Sequence, residues 1–142
     1  MTVRNGHKFV ALVNKNLEPG VALNAVAHAN VGLAALLADG RKDAMTLLEF
    51  KDADGQTHPN ISALSLIVLR GTSGNIRTLR SEARAAGIPC VDFTSSMTGG
   101  SAEEQLERTL TTPEGELEYY CVVLFGKNEE LNPLTKKFSL YK

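Results

Sequence analysis

The chain has 142 residues, of which 43% are hydrophobic and 22% charged, and its formal net charge is −1. These values are ordinary for a globular protein and fit a single domain over residues 1–142, long enough to bury a sizeable core. The near-neutral charge argues against a protein that coats itself with nucleic acid, because such proteins carry strongly basic domains or patches.

Nothing in the first residues is typical of a secretory leader, since Met1–Lys8 is polar and the next apolar run is short. The longest apolar stretch, Val21–Ala38, is interrupted by polar residues and consists mostly of alanine, so we expect no membrane span. Cys90 and Cys121 lie in apolar segments, which favours two buried thiols in a reducing compartment over a disulfide or a nucleophilic cysteine. We therefore predict a cytoplasmic protein.

The first third of the chain reads as a strand followed by a helix. Lys8–Val13 is a continuous apolar run, as in a strand that is covered on both faces. Pro19 suits the first turn of a helix that runs to about Leu37 and is ended by Asp39-Gly40. The helix is apolar on all sides, so we expect it to be buried all round.

The next segment predicts a hairpin and a third strand. Met45–Lys51 reads as a strand, Asp54-Gly55 as a hairpin-type turn, and Ala63–Leu69 as a β-branched strand. The run Asp52–Gly55 resembles the start of a calcium loop, but its glycine comes two positions early and no glutamate closes it. We predict neither a metal site nor a cofactor site.

A strand–helix–strand unit follows within about thirty residues. Gly71–Gly74 leads into a helix that ends near Ala86, and Pro89–Phe93 forms the fourth strand. Such a unit predicts parallel strands joined by a right-handed crossover.

The last third reads as a short helix, a long strand and a short terminal element. Ser101 and Glu104 form a capping-box pattern for a helix to about Leu110. Leu117–Phe125 is a fifth extended run, Asn132-Pro133 is expected to start a last helical turn, and Phe138–Tyr141 a short edge strand.

The first helix carries the clearest candidate chemistry. Asn24 and His28 lie one turn apart and share a helix face. His28 either lines a pocket as an acid, base or ligand contact, or is a structural histidine with a hydrogen-bonded partner. His7 and His58 lie in probable termini and turns and are expected to be solvated.

A hydroxyl-rich loop supplies a second candidate group. Thr94–Thr98 follows a strand, and ligands tend to bind at the carboxyl edge of open α/β sheets. If the strands are parallel, the loop Asn14-Lys15-Asn16 opens on the same edge. Ser95 or Ser96 as a nucleophile would require His28 as its base; the alternative is that these hydroxyls only end a strand.

Two weaker sequence patterns are compatible with anion binding. The Gly71–Gly74 loop precedes a helix and could hold an anion, although a tight turn capped by Ser73 explains it without any ligand. The stripe Arg77, Arg80 and Arg84 fits phosphate contacts or, alternatively, a solvated charged face.

Three segments carry a resemblance to the type-two peptidyl-tRNA hydrolases. Their opening strand and helix resemble KFVALVNKNLEPGVALNAVAHANVGLAALL, their next unit IVLRGTSGNIRTLRSEARAAGIPCVDF, and their end ELEYYCVVLFGKNEELNPLTKKFSLYK. NKNLEPG and NPLTKKFSLYK are more similar to an uncharacterised bacterial branch, a domain of unknown function. The resemblance implies a three-layer α/β/α fold around a small mixed sheet.

The departures from that family concern its chemistry. The resemblance implies a lysine after Gly20, where this chain has Val21, and an aspartate where it has Asn16. An aspartate–alanine–glycine motif is replaced by Thr94–Met97, and only the helical histidine carries over, as His28. Peptidyl-tRNA hydrolysis is therefore disfavoured, and tRNA is not an expected partner.

Two functions remain open at this stage. One is a hydrolase or transferase for a small ester or amide, with the candidate catalytic residues His28, Asn24, Ser95 and Ser96. The other is a non-catalytic module that holds a small anionic ligand or a partner peptide in the same crevice. For either function the candidate ligand contacts are Lys15, Asn14, Gly20, Thr94 and Thr98. A homodimer is left open, and no membrane association is predicted.

Overall fold

A computed structural model of the chain describes residues 6–142 and shows a mixed α/β domain with four helices. The strands are β1 His7–Asn14, β2 Leu47–Lys51, β3 Thr57–Ser62, β4 Leu66–Gly71, β5 Cys90–Thr94, β6 Tyr119–Lys127 and β7 Ser139–Leu140. The helices are α1 Pro19–Ala38, α2 Ser73–Ala85, α3 Ala102–Leu110 and α4 Asn128–Thr135.

Five strands form one mixed sheet in the order β5-β6-β1-β4-β7. β1 and β4 are parallel neighbours, and β6 runs antiparallel to both β1 and β5, so β1, β4 and β5 all point the same way. The prediction that the first, third, fourth and fifth apolar runs share one sheet is confirmed. The crossover through α2 joins the parallel strands β4 and β5, and β1 and β6 lie between these two in the sheet.

Side chains of β1 alternate between two apolar clusters, one on each face of the sheet. Phe9, Ala11 and Val13 pack with α1, whereas Val10 and Leu12 pack with residues of α2 and α4. The period of two along a strand produces this division, and it explains why the run reads as continuously apolar. The expected three-layer α/β/α arrangement is therefore present.

The expectation that α1 is buried all round is wrong. Its buried residues lie on one stripe and face the sheet: Ala22, Ala25, Ala29, Leu33 and Leu37. Leu23 and Val31 are each 72% exposed, because α1 is an outer layer and no element of residues 6–142 packs on its far side.

The length and composition of α1 would by themselves allow it to cross a membrane, contrary to our expectation from the sequence. Core helices of globular proteins meet the same criterion. In this fold α1 forms one layer against the sheet.

Several element boundaries differ from the sequence-based expectations. Met45 belongs to a 3₁₀ turn, and β2 begins only after Thr46, whose φ of 50° interrupts an extended backbone. β2 pairs with β3 in a separate two-stranded sheet, which we call the arm. Pro133 lies inside α4, which already begins at Asn128, so Asn132-Pro133 does not start that helix.

Candidate functional site

The carboxyl ends of β1 and β4 define the most favourable place for a ligand. β1 continues into α1 on one face of the sheet, and β4 continues into α2 on the other face. Neighbouring parallel strands whose helices leave on opposite faces form a switch point, where open α/β sheets commonly bind ligands. The two loops touch, since the Lys15 backbone N–H donates to the Gly71 carbonyl at 2.9 Å.

An apolar cleft of about 360 Å³ opens beside this switch point. It exists because α1 covers β5, β6 and β1 but leaves the same face of β4 uncovered. We call it the switch cleft, and its lining includes Val13, Pro19, Leu23, Val26, Val68 and Tyr141. Small-molecule sites are typically clefts of this size, mostly apolar, with a few polar groups at the edge.

Two cations stand at the end of the switch cleft. Arg70 lies beside Val13 in the parallel register and follows Val68 by two residues, which places it on the same face of β4. Lys15 lies in the turn directly after β1, where its backbone N–H bonds to the carbonyl of Gly71, the residue after Arg70, and both cations are exposed. Over residues 6–142, neither side chain takes part in a hydrogen bond or an ion pair. Both are therefore available to an anionic group.

Three of the residues predicted to contact a ligand or to react are instead tied into the fold. The Asn14 side chain is buried, donates to the Tyr119 carbonyl at 2.9 Å and accepts from the Asn16 N–H. Thr94 is fully buried, and its hydroxyl forms a hydrogen bond with Ser96 Oγ at 2.7 Å. Ser96 Oγ also accepts a hydrogen bond from Thr109 Oγ1. These hydrogen bonds account for the burial of each group.

His28 and Asn24 lie on the exposed surface of α1, on the side towards β5. The His28 ring stacks on Phe93 with 5.6 Å between ring centroids. Within the described part of the chain neither side chain forms a hydrogen bond, and His28 lines none of the cavities found there. The structure thus shows no pocket near His28, and its proposed role stays a prediction.

The other candidate residues lie at the same end of the sheet but on separate strands. Ser95 follows β5, and its backbone N–H donates to the Glu118 carbonyl at 2.9 Å. β5 is two positions from β1 in the sheet, so Ser95 and Lys15 start from strands roughly 10 Å apart. Gly20 and Thr98 are exposed, and Gly20 directly follows the Pro19 of the switch cleft. The two loops share an edge but do not form one compact site.

Neither cysteine fits a nucleophile. Burial raises the pKa of the Cys121 thiol to about 12 and also raises that of Cys90, so both are protonated near neutral pH. Cys121 packs in the cluster beneath α1 and Cys90 against the cluster on the opposite face of the sheet. A disulfide between them is excluded by this separation.

The remaining candidates have structural partners. Arg77 donates to Glu114 and to the Leu117 carbonyl, and Arg80 donates to Asp92 at 2.6 Å, so two arginines of the stripe are paired rather than solvated. In the glycine loop, the side chain that caps α2 is Thr72 and not Ser73. The Ser73 hydroxyl instead accepts a hydrogen bond from the Tyr119 N–H.

The calcium-like run forms the turn of the arm. Asp52 Oδ1 accepts the N–H groups of Asp54 and Gln56, and its other carboxylate oxygen hydrogen-bonds to His58. The hydrogen bond from His58 lowers the pKa of Asp52. These hydrogen bonds give both carboxylate oxygens of Asp52 a partner within the arm itself.

Two larger cavities lie at the opposite end of the sheet. They measure about 590 and 530 Å³, and about half of the residues that line each of them are charged, with both signs present. The first lies beside the carboxyl end of α1, and the second lies beside the carboxyl ends of both α1 and α2. Arg80, which lines the second, is already paired with Asp92. These cavities fit a ligand less well than the switch cleft does.

The fold and the cleft together define a mixed-sheet α/β domain with a cation-edged apolar cleft at its switch point. The chain belongs to the family described as protein of unknown function DUF2000, whose model matches residues 7–142. It is also similar in structure to Atu0240, a protein of unknown function from Agrobacterium tumefaciens strain C58. The two share a TM-score of 0.81 and 15% identity over 98% of this chain and 100% of that one.

At that identity the likeness to the Agrobacterium protein shows the fold alone. No curated protein matches the chain. The family assignment agrees with the expected domain of unknown function. A relationship to the peptidyl-tRNA hydrolases stays a prediction.

Proposed function

We propose that this DUF2000 protein is a non-catalytic binding protein for a small anionic ligand with an apolar body, held in the switch cleft. The supporting observation is an apolar cleft beside the switch point, with Arg70 on the cleft face of β4 and Lys15 in the adjoining turn, neither side chain being paired within residues 6–142. The apolar body gains from leaving water, and the cations orient the anionic group.

The same contacts weigh against a hydrolase at this place. A nucleophile needs a base within hydrogen-bond reach. Ser96 Oγ is instead buried and bonded to Thr94 and Thr109, while His28 is exposed and stacked on Phe93. An ester or amide hydrolase built on His28 therefore lacks support from the geometry.

Calorimetric titration with octanoate tests the proposal, because octanoate combines an eight-carbon chain with a carboxylate. We expect octanoate to bind, octanol to bind more weakly and acetate not to bind. Lys15→Ala and Arg70→Ala should each weaken octanoate binding about three- to tenfold, as expected for partly solvated charged contacts.

A matched pair of variants locates the site. Leu23 on the cleft and Leu106 on α3 are both 72% exposed, so each tolerates glutamate equally well in the folded chain. Leu23→Glu should reduce octanoate binding by at least about tenfold through an unfavourable charge at the cleft, and Leu106→Glu should leave it unchanged. Equal binding by both variants, or loss of binding in His28→Ala, would place the site elsewhere.

A further inference from the structure

The arm formed by β2 and β3 projects from the domain with an open edge. Among residues 6–142, each of its strands pairs on one side only, and nearly all of the residues of the arm are exposed. An isolated two-stranded ribbon is marginally stable in water, and an open strand edge is a template for another strand. An additional strand along an open edge would therefore stabilise the arm.

The two edges of the arm differ in their capacity to pair. β3 contains Pro59, which has no backbone N–H to donate, so its outer edge is a poor template. β2 has the sequence LLEFK and contains neither proline nor glycine. The edge of β2 is the one that can accept a further strand.

Side chains of β2 alternate in character. Leu48 and Phe50 lie on one face, where they are 38% and 48% exposed. Glu49 and Lys51 lie on the other face, two residues apart and of opposite charge. A strand with this pattern is self-complementary when it meets a second copy running antiparallel.

The charges select one register for such a pair. Centring the two-fold axis on Glu49 would set that carboxylate against itself, which is unfavourable. Centring it on Leu48 would place Glu49 opposite Leu47, so that this charge would have no partner of opposite sign. Centring it on Phe50 pairs the two rings and sets each Glu49 opposite Lys51 of the other copy.

We propose that β2 pairs antiparallel with β2 of a second copy about a two-fold axis at Phe50, joining two arms into a four-stranded sheet. The interface is isologous, as two-fold contacts between identical chains are. The aromatic pair lies at its centre, and the two exposed ion pairs set the register more than the affinity.

Sedimentation equilibrium over roughly 1 µM to 1 mM, a range that covers weak to moderate association, tests the pairing. We expect the mass to rise with concentration from 15.3 kDa towards twice that value. Glu49→Lys and Lys51→Glu should each weaken the dimer about tenfold, because each turns two attractive pairs into repulsive ones. The double variant with both charges exchanged should restore it.

Cross-linking supplies an independent readout. In a Cys90→Ser background, Phe50→Cys should form an intermolecular disulfide under mild oxidation, since opposite residues in a sheet have Cβ atoms about 4.5–5.5 Å apart. Leu106→Cys, at a site with at least equal exposure, should not. A monomer at every concentration overturns the proposal. A dimer insensitive to the charge exchange, or found only in the presence of lipid vesicles, overturns it as well.

Discussion

Single residues at the carboxyl end of the sheet show what sequence reasoning resolves and what it misses. Lys15 was predicted at this edge because the loop after the first strand is polar; its backbone N–H bonds to the Gly71 carbonyl, and its role as a ligand contact stays a prediction. Arg70 was missed because a cation at the end of an apolar run carries no signal of its own. Only its register beside Val13 reveals it. The sequence left open whether Thr94 and Ser96 are functional or structural, because Thr109, whose hydroxyl donates to Ser96, is distant in sequence.

Tyr119 makes the stability of the fold depend on alkaline pH. Its ring is buried, and its hydroxyl donates to Glu114 at 2.7 Å. Burial, with the hydrogen bond to Glu114, raises the pKa of Tyr119 to about 12 from about 10. The folded state therefore holds this proton more tightly than the unfolded state, so the contribution of Tyr119 to stability is complete below pH 10 and is lost between pH 10 and 12. The loss should approach about 2–3 kcal/mol.

Urea unfolding at a series of pH values measures this dependence. Tyr119→Phe should lower stability near neutral pH by about 1 kcal/mol through the lost hydrogen bond. It should also flatten the decline between pH 10 and 12. An equally steep decline in the variant would mean that another group titrates.

Elements differ in how well the sequence predicts them, and the reason is the range of the interactions that form them. The bounds of α1 were predicted closely because Pro19 and Gly40 act locally. β3 was missed because the sequence THPNIS has a proline and weak strand preference, and only pairing with β2 makes it extended. The exposure of α1 was misjudged because the sequence of an apolar helix does not show whether one side or every side of the helix is covered.

Two helices with the same type of cap should respond differently to its loss. Thr72 caps α2 and Ser101 caps α3, each with a complete capping box. α2 buries Ile76, Leu79 and Ala83 against the sheet, whereas α3 buries no residue. Thr72→Ala should therefore lower global stability by about 1 kcal/mol, and Ser101→Ala should mainly loosen α3 locally.

Chemical denaturation and amide hydrogen exchange separate the two effects. We expect a lower denaturation midpoint for Thr72→Ala alone. For Ser101→Ala we expect faster exchange confined to α3. A comparable loss of global stability in both variants would show that α3 is part of the cooperative core.

At the scale of the whole molecule, one asymmetry produces both proposed surfaces. α1 covers only part of its face of the sheet, so the carboxyl half of β4 borders an open cleft. The chain between α1 and β4 does not fill that gap but forms the arm instead. Ligand binding and pairing of copies therefore use different parts of the molecule, and each can be removed without the other.

The same architecture leads us to expect little or no release of peptide from peptidyl-tRNA. By resemblance, that reaction uses a lysine after Gly20, and this chain has Val21, a half-exposed apolar side chain at the start of α1. The net charge of the chain is −1. This is little attraction for an RNA backbone, whose binding relies on several phosphate contacts. A steady-state assay with labelled peptidyl-tRNA, run beside a true type-two hydrolase, should give a rate near the uncatalysed background. A rate matching that of the hydrolase would mean that the chain supplies its polarising cation from another position, and Lys15→Ala and Arg70→Ala would then be the variants to identify it.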